Sequence, residues 1–290
     1  MQLGVTFPQI EIGPDPDTIV SYARVAEESG YDFIAAYDHV LGADITNRPN
    51  WYGPYTLYSQ FHEIFTLFAF LAGHTRLELS TNLLVLPQRQ TALVAKQAAE
   101  IDVLTRGRFR LGVGIGWNDV EYEALGENFH DRGIRCEEQI EVMRRLWTEE
   151  SVTFHGRYHS ITEAGILPRP VQQPIPVWIG GGASPRVLDR IGRLADGWLP
   201  QVVGKDELTA ALATIRRAAE AAERDPSAIG LQGGLWIPAD GSIDEARQRL
   251  DMLREIGATH ATVITMDAGR SPEQHIDTIA EIAPALLAEI

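Results

Sequence analysis

Short apolar runs alternate with longer amphipathic segments along the chain. The runs are rich in β-branched and aromatic residues, whereas the longer segments repeat their apolar positions at helical spacing. This alternation is typical of βα units that assemble a parallel sheet. Eight strands are predicted, at residues 3–7, 33–37, 77–85, 108–114, 176–180, 197–202, 231–237 and 261–266.

Helix signals follow the predicted strands. Because the whole chain has 290 residues, eight βα units in this length predict a single (β/α)8 TIM barrel over 1–290, of class α/β, rather than a doubly wound sheet. The clearest start signals are an N-cap at Ser184 before Pro185 and two capping boxes, Ser242 with Glu245 and Ser271 with Gln274.

Two predicted insertions are longer than ordinary connections, 41–60 after the second strand and about 150–175 after the fourth helix. Loops that leave the carboxyl ends of barrel strands build the active site, so the first insertion is expected to border it. Its aromatic residues either wall a pocket for a planar substrate or pack as a dimer surface. They are Trp51, Tyr52, Tyr55, Tyr58 and Phe61.

Charge and composition exclude several classes of protein. The chain has 25 basic and 40 acidic side chains, a net charge of −15, which argues against a nucleic-acid partner. No run of about 18 apolar residues predicts a membrane span. The single cysteine, Cys136, cannot form an internal disulfide and is expected to be a core residue. Together with the lack of a signal-peptide pattern, this predicts a cytoplasmic protein without membrane or nucleic-acid partners.

Polar and glycine residues cluster where the predicted strands end, while the strand interiors are apolar. In a barrel all these ends open into one mouth. The residues collected there are Pro8, Gln9, Asp38, His39, Thr81 to Leu83, Gly114 to Asn118, Gly180 to Ser184 and Gln201.

The segment "WIGGGASPRVL" at 178–188 has the features of an anion site. Its glycines leave the backbone open, and the following helix start adds amide N–H groups and partial positive charge. We expect a phosphate there, with Arg186 as a further contact. The alternative is that the glycines only permit a tight turn.

His39 is the histidine best placed for chemistry, because it follows a predicted strand and can exchange a proton near neutral pH. The other histidines fall on helices, loops or strand starts. None has the spacing of a metal site, so no metal is predicted. No serine elbow or Ser-His-Asp order favours a hydrolase.

The stretch "RLGVGIGWND" at 110–119 is not a dinucleotide fingerprint, because Trp117 stands where the third glycine of that motif is needed. Instead, four stretches carry a family resemblance: "GYDFIAAYDHV" (30–40), the block from "LELSTNLLV" to "GVGIGWNDVEYEALG" (77–126), "PVWIGGGASPRVLDRIGRLADGWLP" (176–200) and the final helix. They resemble the bacterial luciferase-like flavin and deazaflavin oxidoreductases. The branch that depends on coenzyme F-420, an 8-hydroxy-5-deazaflavin, is the most similar. The resemblance covers most of the chain.

This resemblance implies a dimeric barrel that binds the cofactor ring in its mouth beside a small organic substrate. It implies a cis peptide at Asn82–Leu83 and a cofactor phosphate bound by Gly180, Gly181, Gly182 and Ser184. The residues implied to lie near the cofactor ring are Asp38, His39, Thr81, Asn82, Leu83, Gly114, Trp117 and Asn118. Glu121 is also implied to lie near the pocket. His39 would donate the proton, and Trp51 and Tyr55 would line the substrate pocket. The expected reaction is hydride transfer between F-420 and the substrate. The alternatives are a monooxygenase that uses reduced FMN, served by a flavin reductase, and a non-catalytic flavin-binding protein.

Overall fold

Eight parallel strands close into a barrel in the computed structural model, which describes residues 1–290. The strands of the chain are β1 (Gln2–Thr6), β2 (Phe33–Ala36), β3 (Glu78–Thr81), β4 (Leu84–Val85), β5 (Phe109–Gly114), β6 (Val152–His155), β7 (Ser160–Ala164), β8 (Val177–Gly181), β9 (Gly197–Pro200), β10 (Gly230–Trp236) and β11 (His260–Ile264). The helices are α1 (Pro16–Glu28), α2 (Ile64–Ala72), α3 (Thr91–Leu104), α4 (Asp119–Ala124), α5 (Arg132–Thr148), α6 (Pro185–Leu194), α7 (Lys205–Ala221), α8 (Asp244–Glu255) and α9 (Pro272–Leu287).

The barrel closes because β1 pairs in parallel with β2 on one side and with β11 on the other. Around the barrel the order is β1, β2, β3, β5, β8, β9, β10 and β11. The predicted TIM barrel is therefore confirmed. The predicted strand 77–85 is two strands in the structure, β3 and β4, and a cis peptide at Asn82–Leu83 lies between them.

The two predicted insertions differ in structure. Residues 41–60 contain no helix or strand and lead into α2. In the second insertion, β6 and β7 form an antiparallel hairpin outside the barrel. The first insertion therefore lies at the carboxyl end of β2, where it can border the barrel mouth.

The helix starts match the predictions at two of three positions. Ser271 and Gln274 form the capping box of α9, and Ser184 occupies the N-cap position of α6, although its side chain makes no capping hydrogen bond. The predicted box at Ser242 is wrong, because α8 begins at Asp244 with Ile243 at the N-cap. The N–H of Ser242 donates to the Asp240 carboxylate at 3.0 Å, so this serine belongs to the preceding turn.

A group of large side chains fills the amino-terminal end of the barrel. The Arg110 guanidinium lies over the rings of Phe33 and Trp178, 4.9 and 4.4 Å from their centroids, and pairs with Glu78 at 3.0 Å. The His260 ring packs edge-on against both aromatic rings. We call Phe33, Arg110, Trp178 and His260 the basal plug. It closes the lower barrel and leaves the carboxyl-terminal end for a ligand.

None of the helices has the length and apolar composition that a bilayer crossing requires.

Candidate active site

A cavity of about 630 Å³ opens at the carboxyl-terminal end of the barrel strands. This size suits a small molecule or a cofactor. Among the residues predicted from the sequence, those that line it are Asp38, His39, Tyr55, Asn82, Leu83, Gly114 to Trp117, Gly180 to Gly182 and Gln201.

Four of the residues predicted to contact the cofactor or substrate lie behind or beside the cavity wall rather than on it. The Thr81 hydroxyl is buried and donates to the Gly112 carbonyl oxygen at 2.6 Å. Asn118 caps α4, and Ser184 is exposed at the start of α6. Trp51 packs against Trp117 with 5.4 Å between ring centroids, so its contact with the site is through that ring.

The aromatic residues of the first insertion separate into an inner and an outer group. Tyr55 and Phe61 pack edge-on against the His39 ring, with centroid distances of 5.1 and 4.9 Å. Tyr52 and Tyr58 are largely exposed, although the Tyr52 hydroxyl donates to the carbonyl oxygen of Trp117 at 2.7 Å. The inner group supports the pocket-wall interpretation, and the outer tyrosines form part of the molecular surface.

His39 presents one ring nitrogen for chemistry. Its Nδ1 lies 2.9 Å from Oε2 of Glu121, and no other side chain bonds the ring. The ring lines the cavity, and its side chain is 10% exposed. Since Nδ1 is occupied, Nε2 is the nitrogen available to a ligand.

Glu121 is a fully buried carboxylate at the start of α4. Burial alone would raise the pKa of Glu121, but its hydrogen bond to His39 and those from the backbone lower this pKa overall. Its Oε1 accepts the N–H groups of Val40 at 2.7 Å and Leu41 at 3.3 Å, and the amide of Gln88 donates to Oε2 at 3.3 Å. An ionised Glu121 makes His39 Nδ1 the proton-bearing nitrogen.

Asp38 has its carboxylate oxygens occupied by structural contacts. The guanidinium of Arg89 donates to Oδ1 at 2.7 Å, and the N–H of Val85 donates to Oδ2 at 3.1 Å. Burial raises the pKa of Asp38, although Arg89 opposes that shift. Arg89 also pairs with Glu63 at the start of α2 at 3.3 Å. The Asp38–Arg89 pair therefore joins the end of β2 to the segments around it.

Leu83 forms the wall between β5 and β8. A Cβ at Gly180 would lie 1.7 Å from Leu83 Cδ2, and one at Gly114 would lie 2.3 Å from Cδ1. These two glycines are therefore needed to accommodate the leucine side chain. A Cβ at Gly182 would meet nothing within 4 Å, so the third glycine of the motif borders open space.

The end of the cavity at the segment after β8 has the features of an anion site. The amide N–H groups of 182–184 donate no hydrogen bond within the chain. Arg190 lines this end and is only 7% exposed. Its Nε donates to Glu137 on α5 at 2.9 Å. Arg186, the arginine expected from the sequence, is exposed and lies outside the cavity wall.

Sequence reasoning missed several cavity residues because their signal is tertiary. Arg190 reaches the cavity where Gly133 of α5 leaves room, since a Cβ there would lie 2.8 Å from its Nη2. Cys136 is buried, as predicted, and also lines the cavity. Burial raises the pKa of the Cys136 thiol to about 12, so it is not a nucleophile at neutral pH. Tyr37, Gln232 and Trp236 are further cavity-lining residues that the sequence did not predict.

No group of three or more histidine, cysteine, aspartate or glutamate side chains is arranged to hold a metal ion.

Comparison with known proteins places this architecture in a family. The family model for luciferase-like monooxygenases matches residues 2–286. The chain belongs to this family. Its members include oxidoreductases that depend on F-420 and monooxygenases that depend on FMN.

Curated relatives of the luciferase-like chain include members of both kinds. An uncharacterized protein of Mycobacterium tuberculosis is 35% identical over 222 residues, 74% of this chain and 76% of its own length. An F-420-dependent glucose-6-phosphate dehydrogenase of Amycolatopsis mediterranei is 32% identical over 72% of this chain and 61% of its own. An FMNH(2)-dependent dimethylsulfone monooxygenase of Pseudomonas putida is 29% identical over 78% and 59%.

Solved structures match the luciferase-like barrel over nearly its whole length. The monooxygenase RslO1 from Streptomyces bottropensis superposes with a TM-score of 0.81 at 21% identity and covers 99% of both chains. At this identity the match supports the fold alone.

Proposed function

We propose that this protein is an F-420-dependent oxidoreductase that transfers a hydride between the deazaflavin and a small organic substrate in the barrel mouth. The observation that carries the proposal is the His39–Glu121 pair, which presents one ring nitrogen to the cavity. A hydride transfer to or from a carbonyl or alcohol also moves a proton, so a positioned histidine supplies the group that this reaction needs.

The residues present fit the phosphate that both F-420 and FMN carry. Arg190 and the free amide N–H groups after β8 supply positive charge and donors at one end of the cavity. Gly182 leaves the backbone accessible, because no atom lies within 4 Å of its Cβ position. When bound, the cofactor would supply the two-electron chemistry that the side chains lack.

The protein would handle the proton and exclude water. His39 would exchange a proton with the substrate at Nε2, while Glu121 keeps Nδ1 protonated and fixes the ring. The aromatic side chains of Tyr55 and Trp117 line this end of the cavity and limit access of water to the reacting groups. Asp38 lies in the same wall, but its bonds to Arg89 and Val85 favour a supporting role.

The second candidate is a monooxygenase that uses reduced FMN. The FMNH(2)-dependent relative, 29% identical over most of this chain, favours it. A His39 held in the same way would serve that reaction too. A non-catalytic flavin-binding protein is disfavoured by the buried carboxylate that orients His39, because passive binding needs no oriented proton donor.

Titration of the purified protein with F-420, FMN and reduced FMN separates these functions. Tight binding of F-420 alone is the expected result. Preference for reduced FMN, with substrate-dependent oxygen consumption, would replace the proposal by the monooxygenase. Binding of a flavin without turnover across a panel of alcohols, aldehydes and ketones would favour the non-catalytic protein.

A further inference from the structure

The buried side chain of Gln232 faces the cavity from β10. A Cβ at the next residue, Gly233, would lie 2.3 Å from Leu253 of α8, so that position points out of the barrel toward the helix layer. Successive strand residues point to opposite faces, so Gln232 and Gly234 point inward. Gln232 is 4% exposed and lines the cavity.

Gln232 lies on the cavity floor, directly above the basal plug. Two residues earlier on the same face, a Cβ at Gly230 would lie 2.5 Å from the Trp178 ring of the plug. The barrel is therefore filled below Gln232 and open above it. A ligand that enters the cavity fully reaches this carboxamide.

The Gln232 carboxamide has no hydrogen-bond partner within the chain. Its Oε1 is buried and unpaired, and its Nε2 donates to no atom of the chain. The neighbouring Thr262 hydroxyl is already bonded to the hydroxyl of Thr6 at 3.1 Å. Buried amides are normally satisfied, so an unpaired one on a cavity floor indicates a missing partner.

We propose that Gln232 hydrogen-bonds the imide edge of the cofactor ring. A carboxamide presents a donor and an acceptor side by side, which is complementary to an N–H beside a carbonyl. The rings of F-420 and FMN both carry such an edge at N3. This assignment rests on the proposed function, because it requires one of these rings to enter the cavity.

Methylation of N3 tests the contact, because it removes the ring donor and adds bulk at that edge. The measurement is the dissociation constant of F-420, FMN and their N3-methyl analogues, followed by fluorescence. We expect N3-methylation to weaken binding to the wild-type protein about tenfold, the size of one hydrogen bond in a buried site. Methionine has a volume similar to that of glutamine but cannot form this hydrogen bond. The parent and N3-methylated rings should therefore bind Gln232→Met with equal dissociation constants.

Gln201→Met is the matched control, because Gln201 also lines the cavity but is exposed. It should keep the tenfold discrimination. Gln232→Asn retains the amide but is one methylene shorter, so it should lose the discrimination between the parent and methylated rings. It also shows whether the effect of Gln232→Met comes from a folding defect specific to methionine. Thermal unfolding checks that each variant is folded.

The outcomes separate this assignment from the proposed function. Equal discrimination in wild type and Gln232→Met, with a cofactor bound, would overturn the Gln232 contact and leave the function standing. Failure of both F-420 and FMN to bind the wild-type protein would overturn the proposed function and the contact together.

Discussion

Nδ1 of His39, after β2, lies 2.9 Å from Oε2 of Glu121 in α4, although 82 residues separate them in the chain. The carboxylate is fully buried and also accepts two backbone N–H groups from the residues that follow His39. These bonds fix both the ring and the loop that carries it. The pair therefore combines the orientation of the proposed proton-transfer group with the local structure of the barrel mouth.

Replacing Glu121 by Gln should lower turnover at least tenfold, because the neutral amide no longer stabilises a protonated Nδ1. The substrate KM and the cofactor dissociation constant should change little. Nitrogen-15 NMR of the His39 ring would check the cause directly, since the Nδ1–H tautomer should dominate the neutral ring only in the wild-type protein. Glu123→Gln, at an exposed position of the same helix, is the control. An unchanged tautomer population would contradict this role.

His39→Ala should leave cofactor affinity within a few-fold of wild type and reduce turnover at least tenfold. A positioned acid or base contributes about a hundredfold or more to the rate, so a tenfold loss is a conservative threshold. The variant also loses ring contacts with Tyr55 and Phe61, so thermal unfolding should accompany the kinetics. His74→Ala, at an exposed site, should behave as wild type. Full turnover in His39→Ala would remove this residue from the reaction.

Gly180→Ala should destabilise the protein by about 1–3 kcal/mol, because the new methyl group overlaps Leu83. Movement of the leucine into the cavity should also weaken cofactor binding. Gly182→Ala is the matched control, because its Cβ meets no atom within 4 Å and the fold should keep its stability. Denaturant unfolding measures both variants. Equal stability of the two would show that Leu83 relocates at little cost.

Arg190→Met should weaken F-420 binding at least tenfold and leave binding of the phosphate-free 8-hydroxy-5-deazaflavin riboside unchanged, because only F-420 carries the phosphate. The comparison of the two ligands separates the loss of an ion contact from a general change in the cavity. Arg193→Met provides a control, since Arg193 shares the Glu137 partner and lies outside the cavity wall. An equal loss for F-420 and the phosphate-free deazaflavin riboside would exclude Arg190 from the phosphate site.

Acid should destabilise the protein through His260. Burial, with a contribution from Arg110, lowers the pKa of His260 from 6.5 to about 3. Between these two pKa values the His260 side chain is protonated in the unfolded chain and neutral in the folded chain. The free energy of unfolding therefore decreases progressively as the pH falls from about 6.5 toward 3. His260→Asn should flatten this dependence, and His74→Gln should not. Denaturant unfolding at a series of pH values measures the slope, and an unchanged slope in His260→Asn would contradict the assignment.

Much of the barrel could be predicted because hydrophobic periodicity and turn residues are local signals. The eight barrel strands and the Ser271–Gln274 box follow from such patterns. The Ser242 box failed because Asp240, two residues earlier, satisfies the same N–H in a turn. Two side chains compete for this N–H, and the conformation of the folded backbone decides which of them accepts it. A rule based on sequence spacing carries no information about that conformation.

The cavity likewise combines features that the sequence predicts with features that depend on the tertiary structure. The sequence by itself determined that His39, Gly114 and Gly180 meet at the barrel mouth, because all parallel strands in a closed barrel end at the same face. Only the tertiary structure decided that Glu121 holds His39, that Arg190 rather than the exposed Arg186 lines the cavity, and that Gln232 is left unpaired on the floor. These relationships join residues on different elements, and their distances depend on how helices and strands pack rather than on their spacing in the chain.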